Sequence, residues 1–128
     1  MSLPWEEWKA AELAAAIDRD DPDELSSLVV WVALALPGRI QAEQFCIRLS
    51  RHWHPQVRGN AVLGFGHLAR IYRYLNRDLV KPIVEAALSD HEFIVRHQAD
   101  AAAGDIEWFL GWVLRGREHR RFVETCPR

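Results

Sequence analysis

Two stretches of the chain carry one pattern: Val57-Arg58-Gly59-Asn60-Ala61-Val62-Leu63-Gly64 and Val95-Arg96-His97-Gln98-Ala99-Asp100-Ala101-Ala102. In each, a Val-Arg pair is followed by two variable residues and an alanine, and the offset between the copies is 38 residues. At the same offset Pro55 meets Phe93, Gly64 meets Ala102, and Phe45 and Leu49 of the preceding segment meet Ile83 and Ala87. A repeat of about 40 residues with two helices per unit is what stacked helical arrays show. The residue types suit that packing: valine marks a buried stripe, and alanine or glycine lets a second helix come close.

The flanking segments also recur at three and four, and none alternates as a strand would. A first helix is expected from about Pro4 to Ile17, with Trp5, Trp8, Leu13 and Ile17 apolar, Trp5 and Trp8 sealing that end. Asp21 then reads as an N-cap with Pro22 at the first helical position. The second helix is apolar on nearly all sides from Leu28 to Leu36, which makes it central and places Trp31 in the core. Pro37-Gly38 ends it, and a third helix, about Arg39 to Arg51, buries Ile40, Phe45, Ile47 and Leu49. His54-Pro55 restarts the chain into a fourth helix reaching about Leu75, with Val57, Ala61, Gly64, Leu68, Ile71 and Leu75 on one stripe. The fifth helix reaches Leu88 and contains Pro82, where it either kinks or restarts. Ser89-Asp90-His91-Glu92 caps a sixth, from about His91 to Leu114, burying Val95, Ala99, Ala102, Ile106 and Leu110.

The Val-Arg-x-x-Ala element closely resembles the second helix of a HEAT repeat. The resemblance covers about residues 39–110 and implies an all-α fold, a short HEAT-like α-solenoid of about six helices in antiparallel pairs. The expected organisation is one domain over residues 1–128. It comprises a degenerate capping pair at 1–38, repeats at 39–76 and 77–114, and a basic, loose tail at 115–128.

Length and composition agree with a single globular unit: 128 residues, 49% apolar and 27% charged. No apolar run approaches the ~20 residues a membrane span needs, and acids stand where a secretory signal would carry positive charge, so a cytoplasmic location is expected. Cys46 sits between Phe45 and Ile47 and reads as a buried free thiol, while Cys126 falls in the tail. The net charge of −2 is unevenly spread. Residues 1–38 set Lys9 and Arg19 against eight acids, and residues 39–81 set seven arginines and Lys81 against Glu43 and Asp78. Residues 82–112 set Arg96 against six acids. Such blocks either steer a partner or satisfy one another within the stack.

Six histidines include His52 and His54 on either side of Trp53, and none has the spacing of a metalloenzyme helix. They read as turn and surface residues, and no cofactor, metal or catalytic residue is expected. Gly64 and Gly66 within a helix, where glycine costs about 1 kcal/mol, point to a close neighbour.

The exposed stripe of the fourth helix holds Asn60, Leu63, His67, Arg70 and Tyr74, and the offset maps these onto Gln98, Ala101, Asp105, Trp108 and Trp112. In HEAT-like stacks the second helices line the concave surface, so the resemblance implies one inner face from these positions. Its aromatic and charged mixture suits a protein interface; alternatively Trp108 and Trp112 pack against the tail or close the open end. From Val57 through Asp105-Ile106-Glu107-Trp108-Phe109-Leu110 the chain resembles small helical immunity proteins of bacterial toxin systems. That resemblance implies a non-catalytic inhibitor that binds a cognate toxin domain, in some cases a nuclease. Glu92, Asp100, Asp105 and Glu107 would then imitate phosphate, with Trp108 and Trp112 as anchors. A second reading is nucleic-acid binding through Arg48, Arg51, Arg58, Arg70, Arg73 and Arg77, opposed by the flanking acidic blocks and the pI of about 6.3. A third is a scaffold for another enzyme. A monomer or weak dimer is expected.

Overall fold

Six helices and no strand make up residues 4–117, which the computed structural model describes, with side chains from Lys9 onward. They are α1 (Pro4–Arg19), α2 (Pro22–Ala35), α3 (Arg39–Leu49), α4 (Pro55–Tyr72), α5 (Arg77–Ala87) and α6 (Phe93–Leu110). The expectations for Trp5, Trp8, His119 and Cys126 lie outside the described side chains.

Local chemistry sets these boundaries. Asp21 caps α2 by accepting from the Asp23 N–H at 3.0 Å, with Pro22 at the first position. His54 plays that part for α4, its Nδ1 accepting from the Gln56 N–H at 3.2 Å. Asn76 does so for α5, accepting from the Leu79 N–H at 3.2 Å. The long helices end in left-handed residues, Arg73 (φ 56°) after α4 and Gly111 (φ 69°) after α6. Among the described residues no helix is long and apolar enough to cross a membrane.

α4 is the centre of the packing: it touches α2, α3, α5 and α6. Phe65 and Leu68 of α4, Leu25 of α2 and Ile106 of α6 are fully buried. The repeated positions share that fate, since Val57, Val95, Ala61, Ala99 and Ala102 are each 0% exposed. Glycine is what lets the helices close. A Cβ on Gly66 would come within 2.9 Å of the Ala102 backbone, and one on Gly59 within 3.4 Å of the Val95 Cα. A Cβ on Gly64 would meet Cys46 Sγ of α3 at 2.7 Å and Ala33 of α2 at 3.3 Å. Cys46 is a buried free thiol, and that burial, with Glu43 adding, pushes its pKa up to about 12.

Several expectations are corrected. Trp31 is 42% exposed, on a side of α2 where the Lys9 ammonium lies 4.6 Å over its ring. Ile40 (60%) and Ile71 (42%) are also exposed; each lies in a terminal turn, where a helix has fewer neighbours. Of the two alternatives at Pro82, the restart is excluded, since α5 runs through it as one helix. Pro82 is exposed, so the carbonyl left without its N–H lies on the wet side. Helix α6 stops at Leu110, and the strap that follows is anchored from the start by Leu114, 1% exposed, and Arg117, 5% exposed. The loose tail expected from residue 115 is therefore corrected as far as Arg117; residues 118–128 lie outside the described residues.

Candidate functional site

The turn between α4 and α5 is built from a buried carboxylate. Glu43, 4% exposed on α3, takes Arg39 Nη1 at 2.7 Å from one turn back and the Asn76 N–H at 2.9 Å. The Arg39 guanidinium also stacks 4.6 Å over the Tyr74 ring. Leu75, 3% exposed, plugs the turn from below. Arg73 leans the other way, its guanidinium 4.4 Å over Phe109 of α6 while Nε donates to the Arg70 carbonyl at 3.1 Å. The result is an open cleft of about 520 Å³ lined by Arg73 to Asp78 on one wall and Phe109, Leu110 and Trp112 on the other.

The expected interface residues divide into groups. Asn60 and Gln98, equivalent by the 38-residue offset, are hydrogen-bonded to each other at 2.9 Å. Asn60 also accepts from Gln56 Nε2 at 2.9 Å and donates to the Ser26 carbonyl at 3.0 Å. It staples α2, α4 and α6 together and has little left for a partner. His67, Arg70 and Asp105 gather beside the same seam: Arg70 Nη2 stands 3.4 Å from His67 Nδ1. Burial pushes the His67 pKa below its ordinary value, the Arg70 charge adds to this, and Asp105 opposes it. Tyr74, 59% exposed, and the part-buried Trp112 share the cleft. Trp108 stands out on α6, 83% exposed.

The acids expected to imitate phosphate are placed apart. Arg117 takes up two of them: its Nη1 donates to Asp100, and Nε and Nη2 donate to Glu107 at 3.1 and 2.7 Å. Those hydrogen bonds, Glu107 first, raise the Arg117 pKa against the cost of burial. Glu92 is the N-cap of α6; at 1.5 Å per residue it lies about 24 Å along the axis from Trp108. Asp105 alone of the four acids sits by the seam, where a Cβ on Gly66 would find its Oδ2 at 3.1 Å.

The basic block is partly engaged as well. Arg58 grips Asp90 with Nε and Nη2 at 2.9 and 3.0 Å and gives Nη1 to the His52 and Trp53 carbonyls. That pairing raises the Arg58 pKa and holds the Asp90 carboxyl below its usual range. His52 Nε2 lies 2.6 Å from Asp20 Oδ1, Trp53 Nε1 donates to Asp20 Oδ2 at 3.1 Å, and these bonds lower the Asp20 pKa. His52 Nδ1 accepts the His54 N–H at 3.0 Å, so both ring nitrogens of His52 are engaged in shaping the turn. Among the described residues no three His, Cys, Asp or Glu side chains converge as metal ligands.

Sequence reasoning missed Glu43, Glu85 and Arg117. Glu85 of α5, 9% exposed, repeats the Glu43 arrangement, holding Lys81 Nζ at 2.8 Å and the Arg115 N–H at 2.6 Å. A signal was present: Arg39-x-x-x-Glu43 and Lys81-x-x-x-Glu85 place a cation four residues before a glutamate on successive short helices. No family model matches the chain, and no curated protein or solved structure is similar enough to match it.

Proposed function

We propose that this chain is a HEAT-like protein-binding module that captures its partner on the α4–α6 side, as an immunity protein captures a toxin domain. The observation that carries this reading is Trp108, 83% exposed on α6, with Tyr74, 59% exposed, in the turn that follows α4. Tryptophan and tyrosine are the residues that most often dominate a protein interface, because each brings a large apolar surface with a polar tip. Tyr74 is held in place by the Arg39 guanidinium 4.6 Å over its ring, so a partner would meet that aromatic already ordered. The 38-residue repeat and the succession of α2, α4 and α6 contacts support a stacked, HEAT-like arrangement.

Within this reading the acids carry less weight than the sequence suggests. With Asp100 and Glu107 held by Arg117, recognition rests on aromatics and arginines more than on an imitation of phosphate. The test is co-expression with the product of the neighbouring gene, followed by co-purification and a growth assay. Capture and neutralisation by the wild type, and loss of both in Trp108→Ala with unchanged thermal stability, are expected. Capture that Trp108→Ala and Tyr74→Ala leave untouched removes this face from consideration; absence of any complex removes the immunity role.

A further inference from the structure

We propose that the cleft between the ends of α4 and α6 and the start of α5 receives a short acidic segment of the partner protein. Its carboxylates would meet Arg73 and Arg77, and an apolar side chain would lie against Trp112. This deepens the protein-binding reading above and rests on it.

Charge comes first. Arg39 and Arg58 are each matched to a carboxylate, Glu43 and Asp90. Arg73 and Arg77 are exposed in the cleft and have no carboxylate within ion-pair distance among the described residues. Asp78 is the one acid among the residues lining the cleft, so its wall retains a positive balance of one (two arginines less one aspartate). Guanidinium groups bind carboxylates with two parallel hydrogen bonds, which fixes geometry as well as sign.

Shape and order follow. The volume of about 520 Å³ falls in the ~300–1,000 Å³ range of ligand clefts. Tyr74, Phe109, Leu110 and Trp112 supply apolar wall beside the charges. The wall is set before anything binds, because buried Glu43 holds the Asn76 N–H and Arg39 stacks on Tyr74. A pre-ordered site loses less entropy on binding.

A protein segment fits better than a nucleic acid. A long polyanion needs more cations than the cleft offers: Arg39, Arg58 and Arg117 are already paired with carboxylates, and Asp78 on the wall repels a run of phosphates. A segment with one or two carboxylates matches the two arginines and escapes that repulsion.

The experiment titrates the ¹⁵N-labelled full chain with an acetylated, amidated pentapeptide Glu-Leu-Glu-Leu-Glu up to millimolar concentration. Lys-Leu-Lys-Leu-Lys and a short oligoadenylate are run in parallel. Saturable amide shifts at residues 73–78 and 109–112 with the acidic peptide alone are expected. Arg77→Ala should weaken that binding at least ten-fold. Arg73→Gly should do the same; glycine suits the left-handed cap (φ 56°), and a melting temperature matching the wild type's shows that folding is not the cause. Shifts that are absent, scattered over other surfaces, or equal for the basic peptide overturn the proposal, as does tighter binding of the oligoadenylate. Two results separate this proposal from the reading it rests on. A partner held with undiminished affinity by Arg77→Ala sinks the cleft alone. Peptide binding without any captured partner sinks the wider reading and leaves the cleft.

Discussion

Glu43 and Glu85 hold matching posts in α3 and α5: each pairs with a cation one turn away on its own helix and each accepts a backbone N–H just beyond the next long helix. For Glu43 that N–H belongs to Asn76, three residues past the cap at Arg73. For Glu85 it belongs to Arg115, four residues past the cap at Gly111. Both carboxylates are nearly enclosed, a position glutamate seldom takes unless its oxygens are matched. Burial raises the Glu85 pKa, but Lys81 and the Arg115 N–H outweigh it and the net shift is downward. The short helices thus bind the exits of the long ones.

Truncating Glu43 to alanine leaves the part-buried Asn76 N–H and Arg39 without their acceptor. The expected loss is about 2–3 kcal/mol, from one unpaired donor and one broken part-buried ion pair. Glu43→Gln keeps an acceptor and should lose about half as much. Urea unfolding of both variants checks this, and equal losses would mean that the charge carries the whole effect and the acceptor that glutamine retains contributes nothing.

Glycine substitutions should split by position. Gly66→Ala pushes a methyl into the Ala102 backbone at 2.9 Å, and a packed helix that must shift costs about 1–3 kcal/mol. Gly104, in α6 with nothing within 4 Å of an added methyl, should gain about 0.4–1 kcal/mol as alanine, because the unfolded chain loses freedom. Opposite signs in the melting temperatures are the outcome to look for.

Removing Arg117 exposes the strap's function. In Arg117→Ala, Glu107, whose side chain is 10% exposed, loses its cation, and the expected destabilisation is about 2–3 kcal/mol. Asp100, 45% exposed on its side chain, is solvated and adds little. A denaturation midpoint unchanged from wild type would show that the strap is ornamental.

Acid should loosen the α4–α6 entrance through Asp90. The Arg58 hydrogen bonds hold its folded pKa below the unfolded value, which is about 3.9. Its contribution is therefore complete above that value and is lost as pH falls through the lower, folded one. Asp90→Asn should flatten the decline of stability below about pH 4 relative to wild type. Urea midpoints between pH 2 and 6 test the sign, and a decline equally steep in the variant argues against it.

The all-helical class and the buried Val57, Val95, Ala61 and Ala99 were legible because a helix with one buried side writes its period into the sequence. Gly64 and Gly66 announced close neighbours for a physical reason too: glycine inside a helix is costly without one. What periodicity cannot tell is where a helix outruns its neighbours, and so Trp31, Ile40 and Ile71 were placed inside when they lie partly in solvent. Polar residues hid for the converse reason. Glu43, Glu85 and Arg117 look like surface residues in one dimension, and only the partners that reach them, from 10 to 33 positions away, make their burial tolerable. Of the candidate interface, Tyr74, Trp108 and Trp112 were legible as aromatics out of step with the core; the arginines of the cleft were read only as bulk charge.

Contact among four helices gives α4 a role in time as well as in space. Among the described residues, helices α1 and α2 touch neither α5 nor α6, so the two flanks exchange strain through α3 and α4. Amide protons around Val57, Phe65 and Leu68 should be the last to trade with deuterated water, since opening them requires both flanks to part. The molecule would then melt from its edges inward, with its middle helix as the final holdout.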